Sequence, residues 1–142
     1  MHLEEIAKNG IVGAGGAGFP THIKLLSRPE FLVLNAAECE PLLHKDMELL
    51  SNNMDQVLEG FRKAIDLTGA HQGIIGIKKK HHEIIDRLNK KIDAKIRIAF
   101  IGDFYPAGDE VTLVYLTTGR IDRKSTRLNS SHRRTSRMPS SA

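Results

Sequence analysis

The sequence predicts an α/β fold: a mostly parallel sheet flanked by helices, in a Rossmann-like three-layer sandwich that is incomplete at its C-terminal end. Two observations predict it. Short apolar runs suited to buried strands recur at Phe31–Leu34, Gly73–Ile77 and Ile96–Ile101, and a segment with helical character follows each one. Two unusual loops, Asn35 to Pro41 and Gly102 to Glu110, follow the first and third runs, at the edge where parallel sheets place their ligands.

Each element has its own signal. Leu3 to Asn9 carries apolar residues at 3, 6 and 7 and is stopped by Gly10, which predicts a short helix. Asp46 to Ser51 predicts one or two helical turns. Met54, Val57, Leu58, Phe61, Ile65 and Leu67 repeat near 3.6 residues and predict an amphipathic helix over 53–68, capped by Gly69. Ile84, Ile85, Leu88 and Ile92 mark a further helix, with His81, His82, Lys90 and Lys91 on its wet side. Asp109 to Thr118 predicts a last helix closed by Gly119, although its β-branched residues weaken the signal.

The chain has 142 residues, 40% hydrophobic and 27% charged, which suits one soluble domain with a real core. It has no apolar run of about 18 residues and no signal-peptide pattern. Cys39 is its only cysteine. A disulfide framework, an iron–sulfur cluster or a Cys-rich zinc site cannot be built from this chain alone, and a reducing cytoplasmic setting fits.

The net charge of +4 is unevenly spread. Residues 121–142 hold six basic residues against Asp122, so residues 1–120 carry −1. The folded part is near neutral and no nucleic-acid partner is expected. Composition shifts at Arg120 to serine, arginine and threonine with no buriable period, which predicts a disordered basic tail. That tail reads either as an interaction arm or, in better accord with its resemblance to translated adapter sequence, as a non-native end. The expected division is a domain over 1–120 and a tail over 121–142.

The chemistry concentrates in three stretches. Residues 10–24, GIVGAGGAGFPTHIK, place glycines at 10, 13, 15, 16 and 18 and a lysine at 24. Such a run can turn its N–H groups toward one anion, usually a phosphate. Gly13, Gly15 and Gly18 satisfy G-x-G-x-x-G, yet the preceding segment looks helical where a dinucleotide fingerprint needs a strand. A Walker loop fails for lack of Gly-Lys-Ser/Thr. A flexible turn would be the bland alternative, but Ile11, Val12 and Phe19 are poor linker residues.

The second stretch is Asn35-Ala-Ala-Glu-Cys-Glu-Pro41. Glu38 and Glu40 suit a base, metal ligands or hydroxyl acceptors, or are simply a solvated acidic loop. Asn35 would ordinarily bond local backbone. Cys39 has no adjacent histidine to make it a nucleophile. His44 and Asp46 read as surface residues before a ligand pair. Lys78 to His82 read as a solvated basic face. In the third stretch, Gly102 to Glu110, the acids Asp109 and Glu110 suit a helix N-terminus. The first two stretches together suggest a nucleotide or flavin site.

GAGGAGFPTHIK, NAAECEPLLHKD and YPAGDE, in that order, resemble a known family. It is the flavin- and NADH-binding domain shared by the NADH-oxidising subunit of respiratory complex I, the C subunit of Rnf-type electron transport complexes, and soluble relatives. The soluble relatives include the cobalamin reductase of propanediol utilisation and the electron-transfer protein associated with proline reductase. The likeness covers about residues 4–120, and LLHKD leans toward the Rnf C and cobalamin-reductase branch. The complex I pattern has two acids around a glycine after the asparagine. Here Ala37 stands for the first acid and Cys39 for the glycine.

The resemblance implies NADH oxidation through FMN, with electrons passed to 4Fe-4S clusters in parts of the protein beyond this sequence. It implies that Gly13, Gly15, Gly16, Ala17, Gly18 and Phe19 wrap the FMN, with Phe19 near the nicotinamide, and that Lys24 contacts the phosphate. Asn35, Glu38 and Glu40 would hold the ribityl chain and border the nicotinamide. Tyr105, Gly108, Asp109 and Glu110 would lie near the isoalloxazine. No side chain need act as acid or base, and no metal ligand is implied in this chain. Partners would be other electron-transfer subunits or a redox protein, with the membrane met only through a complex. The chain would be cytoplasmic, or peripheral at the inner face of the membrane. Two alternatives stand beside this reading: a Rossmann-type NAD enzyme without flavin, and a non-catalytic binding fragment.

Overall fold

A computed structural model describes residues 3–13, 18–38, 44–105 and 107–119. The order of elements is α1 (Leu3–Lys8), α2 (Thr21–Leu25), β1 (Phe31–Ala36), α3 (Lys45–Thr68), β2 (Gln72–Lys78), α4 (His82–Asn89), β3 (Ile96–Ile101) and α5 (Glu110–Thr118). The strands form one sheet in the order β1-β2-β3, and both pairings are parallel. Leu34 lies opposite Ile75, and Ile75 opposite Ile98.

The apolar runs become strands because both faces of the sheet are covered. Ile75, Ile77 and Ile96, with Leu32, Leu34 and Ile98, form a core with Leu50, Met54, Leu58, Phe61 and Ile65 of α3 and Ile85 and Leu88 of α4. On the other face Val33 and Ile101 meet Leu113 of α5, with Ala37 and Ala107. A strand buried on both sides needs no polar alternation, which is why Gly73 to Ile77 reads as a plain apolar run. Gly73 and Gly76 admit the helices: a Cβ on Gly73 would stand 2.5 Å from Ile65 Cδ1, and one on Gly76 2.7 Å from Leu113 Cδ1.

The two helical segments expected at 46–51 and 53–68 are one element, α3, interrupted at Asn53 (φ −128°, ψ 29°). The seam is a local break in a continuous amphipathic stripe. Gly69 ends α3 at φ +68° and Gly119 ends α5 at φ +70°, as the cap readings require. α2 is an element that no periodicity announces. With five residues it is too short to show a period, and Pro20 at its start only permits it. Among the described residues no helix is long and apolar enough to cross a membrane.

α5 opens on a built cap. The carboxylate of Asp109 accepts from the Thr112 N–H at 3.2 Å and from its hydroxyl at 3.1 Å. Asp109→Ala should cost about 1 kcal/mol of stability, the ordinary value of an N-cap. A urea midpoint equal to the parent's would show the cap to be idle.

Candidate functional site

The candidate site gathers where β1 and β3 end. Asn35, one residue before the end of β1, reaches across to the loop after β3. Its Nδ2 donates to the Gly108 carbonyl at 2.9 Å, and its Oδ1 accepts from the Ala37 N–H at 3.0 Å. One side chain thus fixes the turn out of β1 and ties it to a loop 73 residues later. It does so from the α5 side of the sheet, since Val33, two residues earlier, packs in the α5 core.

Beyond it, Glu38 is only partly exposed and both of its carboxylate oxygens are buried without a hydrogen-bond partner among the described residues. An unsatisfied buried carboxylate is costly and calls for explanation. Hydroxyl donors from a bound molecule would satisfy it.

The two ends of the glycine stretch are joined to each other. The Gly13 N–H donates to the Phe19 carbonyl at 2.8 Å, and the Thr21 N–H to the Ile11 carbonyl at 3.0 Å. Val12 and Pro20 form an antiparallel bridge between them. Gly18 takes φ +59°, open to glycine and rarely to other residues. α1 precedes the loop and the short α2 follows it. This is not the strand–turn–helix context of a dinucleotide fingerprint. Lys24 on α2 sits with its ammonium 5.4 Å from the centroid of the Phe19 ring, a cation–π distance that holds it beside the neck of the loop.

Of the other residues singled out from sequence, Tyr105 is 81% exposed and Phe104 beside it is 47% exposed. Both present aromatic surface at the β3 end. Asp109 is engaged as the α5 cap. Glu110 begins α5, and its side chain lies outside the described residues, as do Gly15, Gly16, Ala17 and Glu40.

Lys78 is a correction to the sequence reading. It is not part of a solvated face but is 8% exposed, at the end of the central strand. Its ammonium pairs with Asp103 at 3.0 Å, and Lys80 reaches the same carboxylate at 3.3 Å. Lys78 first, then Lys80, hold the Asp103 carboxyl below its ordinary 3.8. The available signal was position: Lys78 closes a run that is buried on both faces, whereas Lys79 and Lys80 lie past its end.

His81 precedes α4 beside this cluster. Burial, then Lys80 and Lys78, with a smaller push from His44, lower its imidazole below the ordinary 6.5, and Asp103 opposes them. The folded state therefore prefers neutral His81. Its contribution to stability is present above 6.5 and is lost as pH falls through the lowered folded value. His81→Gln should flatten the decline of stability between about pH 7 and pH 5. Parallel pH profiles for parent and variant would refute this.

A depression of about 370 Å³ lies at the opposite, amino ends of the strands, lined by Arg62, Ile65, Asp66, Asp93, Ala94 and Lys95. The Arg62–Asp93 pair at 2.8 Å and the Lys95–Asp66 pair at 3.3 Å satisfy its charges. It holds none of the residues above.

The family model of the Nuo51 FMN-binding domain matches residues 6–133. The chain belongs to that family. The cobalamin reductase PduS of Citrobacter freundii is 43% identical over 117 residues, which are 82% of this chain and 26% of that protein. The C subunit of the Na+-translocating ferredoxin:NAD+ oxidoreductase complex of Acetobacterium woodii is 38% identical over 117 residues, 78% of this chain and 26% of that relative. The crystal structure of an NAD+-reducing NiFe hydrogenase in the H2-reduced state superposes with a TM-score of 0.69 at 27% identity, over 84% of this chain and 24% of the hydrogenase chain. The chain thus spans about a quarter of the length of these relatives.

Proposed function

We propose that the chain binds FMN at the carboxyl edge of its sheet, as part of a longer oxidoreductase that oxidises NADH. Electrons would pass to 4Fe-4S centres outside this sequence, and from there to partner subunits or a redox protein. The observation that carries the reading is Glu38, whose buried carboxylate has no acceptor role filled among the described residues. A ribityl chain, or the ribose of a nicotinamide nucleotide, brings the hydroxyl donors it lacks. FMN, when bound, accepts a hydride and releases electrons singly.

The chain's own residues bind and orient. The glycine loop and Lys24 present donors and a cation to the phosphate, with Gly13, Gly15, Gly16, Ala17 and Gly18 supplying close backbone approach. Asn35 positions the Gly108 loop, whose neighbours Tyr105, Asp109 and Glu110 border the ring system. Phe19 and Tyr105 offer flat apolar surface to flat rings. Glu38 and Glu40 take hydroxyls. The domain occupies residues 1–120 in this reading, and residues 121–142 have no part in it. The setting is cytoplasmic, or peripheral to a membrane complex.

A Rossmann NAD site without flavin fits less well, because the glycine loop lies between α1 and the short α2. A basic interaction arm would rest wholly on residues 121–142, outside the described residues.

Titration of the full chain into FMN, followed by flavin fluorescence, tests the reading. Saturable quenching in the micromolar range, about 8 kcal/mol, is expected. Glu38→Gln should weaken it about tenfold by removing a charged acceptor. A folded, monodisperse chain that gives no saturable signal would sink the assignment.

A further inference from the structure

Lys78 is a largely buried residue whose ammonium shares one carboxylate with a second lysine. It is 8% exposed, yet its one partner among the described residues is Asp103, which is shared with Lys80. An ammonium carries three donors, and a buried charge is costly unless paired and hydrogen-bonded. Asp103 is its one ion-pair partner among the described residues. That carboxylate is itself 60% exposed and lies between two lysines. Locally, two positive charges face one negative charge.

Its place in the sheet says what the ammonium faces. Along β2, Ile75 and Ile77 lie in the α3–α4 core, while Gly76 lies against Leu113 of α5. Alternation puts Lys78 on the α5 side, the side that Asn35 occupies on β1. Lys78 pairs with Ile101 on β3, and Ile77 pairs with Ala36 on β1. One step further along the register, Lys78 stands level with Ala37. It therefore sits at the end of the central strand, between the Asn35–Glu38 turn and the Asp103–Asp109 loop that the Asn35–Gly108 hydrogen bond ties together.

We propose that Lys78 is a further cofactor-contacting residue, whose ammonium lies against the flavin ring system and raises its midpoint potential. The inference rests on the FMN reading above. The phosphate already has Lys24 and the glycine loop, at the other motif, whereas the floor between the two post-strand loops is bordered by Phe104 and Tyr105, surfaces for a ring. Reduction by a hydride adds one negative charge to that ring system. A nearby cation favours the reduced form over the oxidised one, and charge near the ring nitrogens is a lever by which a protein tunes a flavin. Asp103 sets how much of the cation's field is felt.

The test measures midpoint potential and flavin affinity on the full chain loaded with FMN, with riboflavin as the phosphate-free probe. Lys78→Gln should lower the ratio of reduced to oxidised affinity about tenfold, the size expected of one charge at short range in a partly screened site. For a two-electron couple that is about 30 mV more negative. Lys78→Arg should keep most of the parent's potential. Asp103→Asn, which keeps an amide oxygen as acceptor while removing the negative charge, should move the potential the opposite way by freeing the ammonium. The arginine and asparagine variants decide the matter if Lys78→Gln does not fold. An unchanged potential in Lys78→Gln, or no upward shift in Asp103→Asn, would overturn the inference while leaving FMN binding intact. So would loss of FMN binding with riboflavin binding unchanged, since that places Lys78 at the phosphate. A parent chain that binds no flavin overturns the FMN reading and this inference with it.

Discussion

Lys24→Ala is expected to weaken FMN binding about 30-fold and to leave riboflavin binding nearly unchanged, since a charge-assisted hydrogen bond contributes roughly 1.5–3 kcal/mol. Lys24 is six residues past the last glycine of the loop, on a helix too short to hold it by periodic packing. What places it is the neck of the loop. Gly13 and Phe19 are joined backbone to backbone, the Val12–Pro20 bridge follows, and the Phe19 ring then sits under the ammonium. A cation held over an aromatic face keeps its charge and loses little freedom on meeting a phosphate. Lys24→Arg should recover most of the affinity, because the charge and the ring contact both survive. Fluorescence titrations with the two flavins separate the possibilities. Equal losses for FMN and riboflavin would mean that Lys24 supports the loop and not the phosphate. No loss for either would remove it from the site.

Much of this arrangement is legible in the sequence wherever the cause is local. The stripe from Met54 to Ile65 needs only the 3.6-residue period, and Ile96 to Ile101 is bounded as read. The caps at Gly69 and Gly119 follow from the left-handed conformation that ends a helix. The placing of the candidate site's loops at the ends of β1 and β3 follows from the alternation of strands and helices. What escapes is long-range or too short to repeat. α2 offers five residues and no period. The Asn35–Gly108 bond spans 73 residues, so asparagine at the end of a strand reads only as a local turn-former, which it also is, through Ala37. Lys78 is misread because three consecutive lysines look wet as a group. The strand ends on the first of them, so Lys78 is enclosed while Lys79 and Lys80 are exposed. Glu38 is legible as an acid on a post-strand loop, but its want of a partner among the described residues appears only in the folded structure.

The site depends on a scaffold that can be broken at one atom. Gly73→Val should destabilise the chain by about 3 kcal/mol, the upper part of the usual range for forced overpacking. A Cβ there would lie 2.5 Å from Ile65 Cδ1 and 2.8 and 2.9 Å from two ring carbons of Phe61. One of these is the tip of a flexible side chain and could rotate away. The Phe61 ring cannot, since it is 6% exposed and belongs to the same core as Met54, Leu58 and Ile65. Relief would require α3 to lift from β2, which opens the interface that seats the central strand. Native domains hold roughly 5–15 kcal/mol in all, so the loss is a large fraction of the total. Gly76→Val should cost less, because the nearest obstacle is a terminal methyl of Leu113 at 2.7 Å, with its Cγ already at 3.5 Å. Urea unfolding of the two variants beside the parent gives the order directly. A Gly73→Val midpoint equal to or above that of Gly76→Val would mean that α3 yields more easily than α5, and that the α3 side of the sheet is not the rigid support on which Asn35 and Lys78 depend.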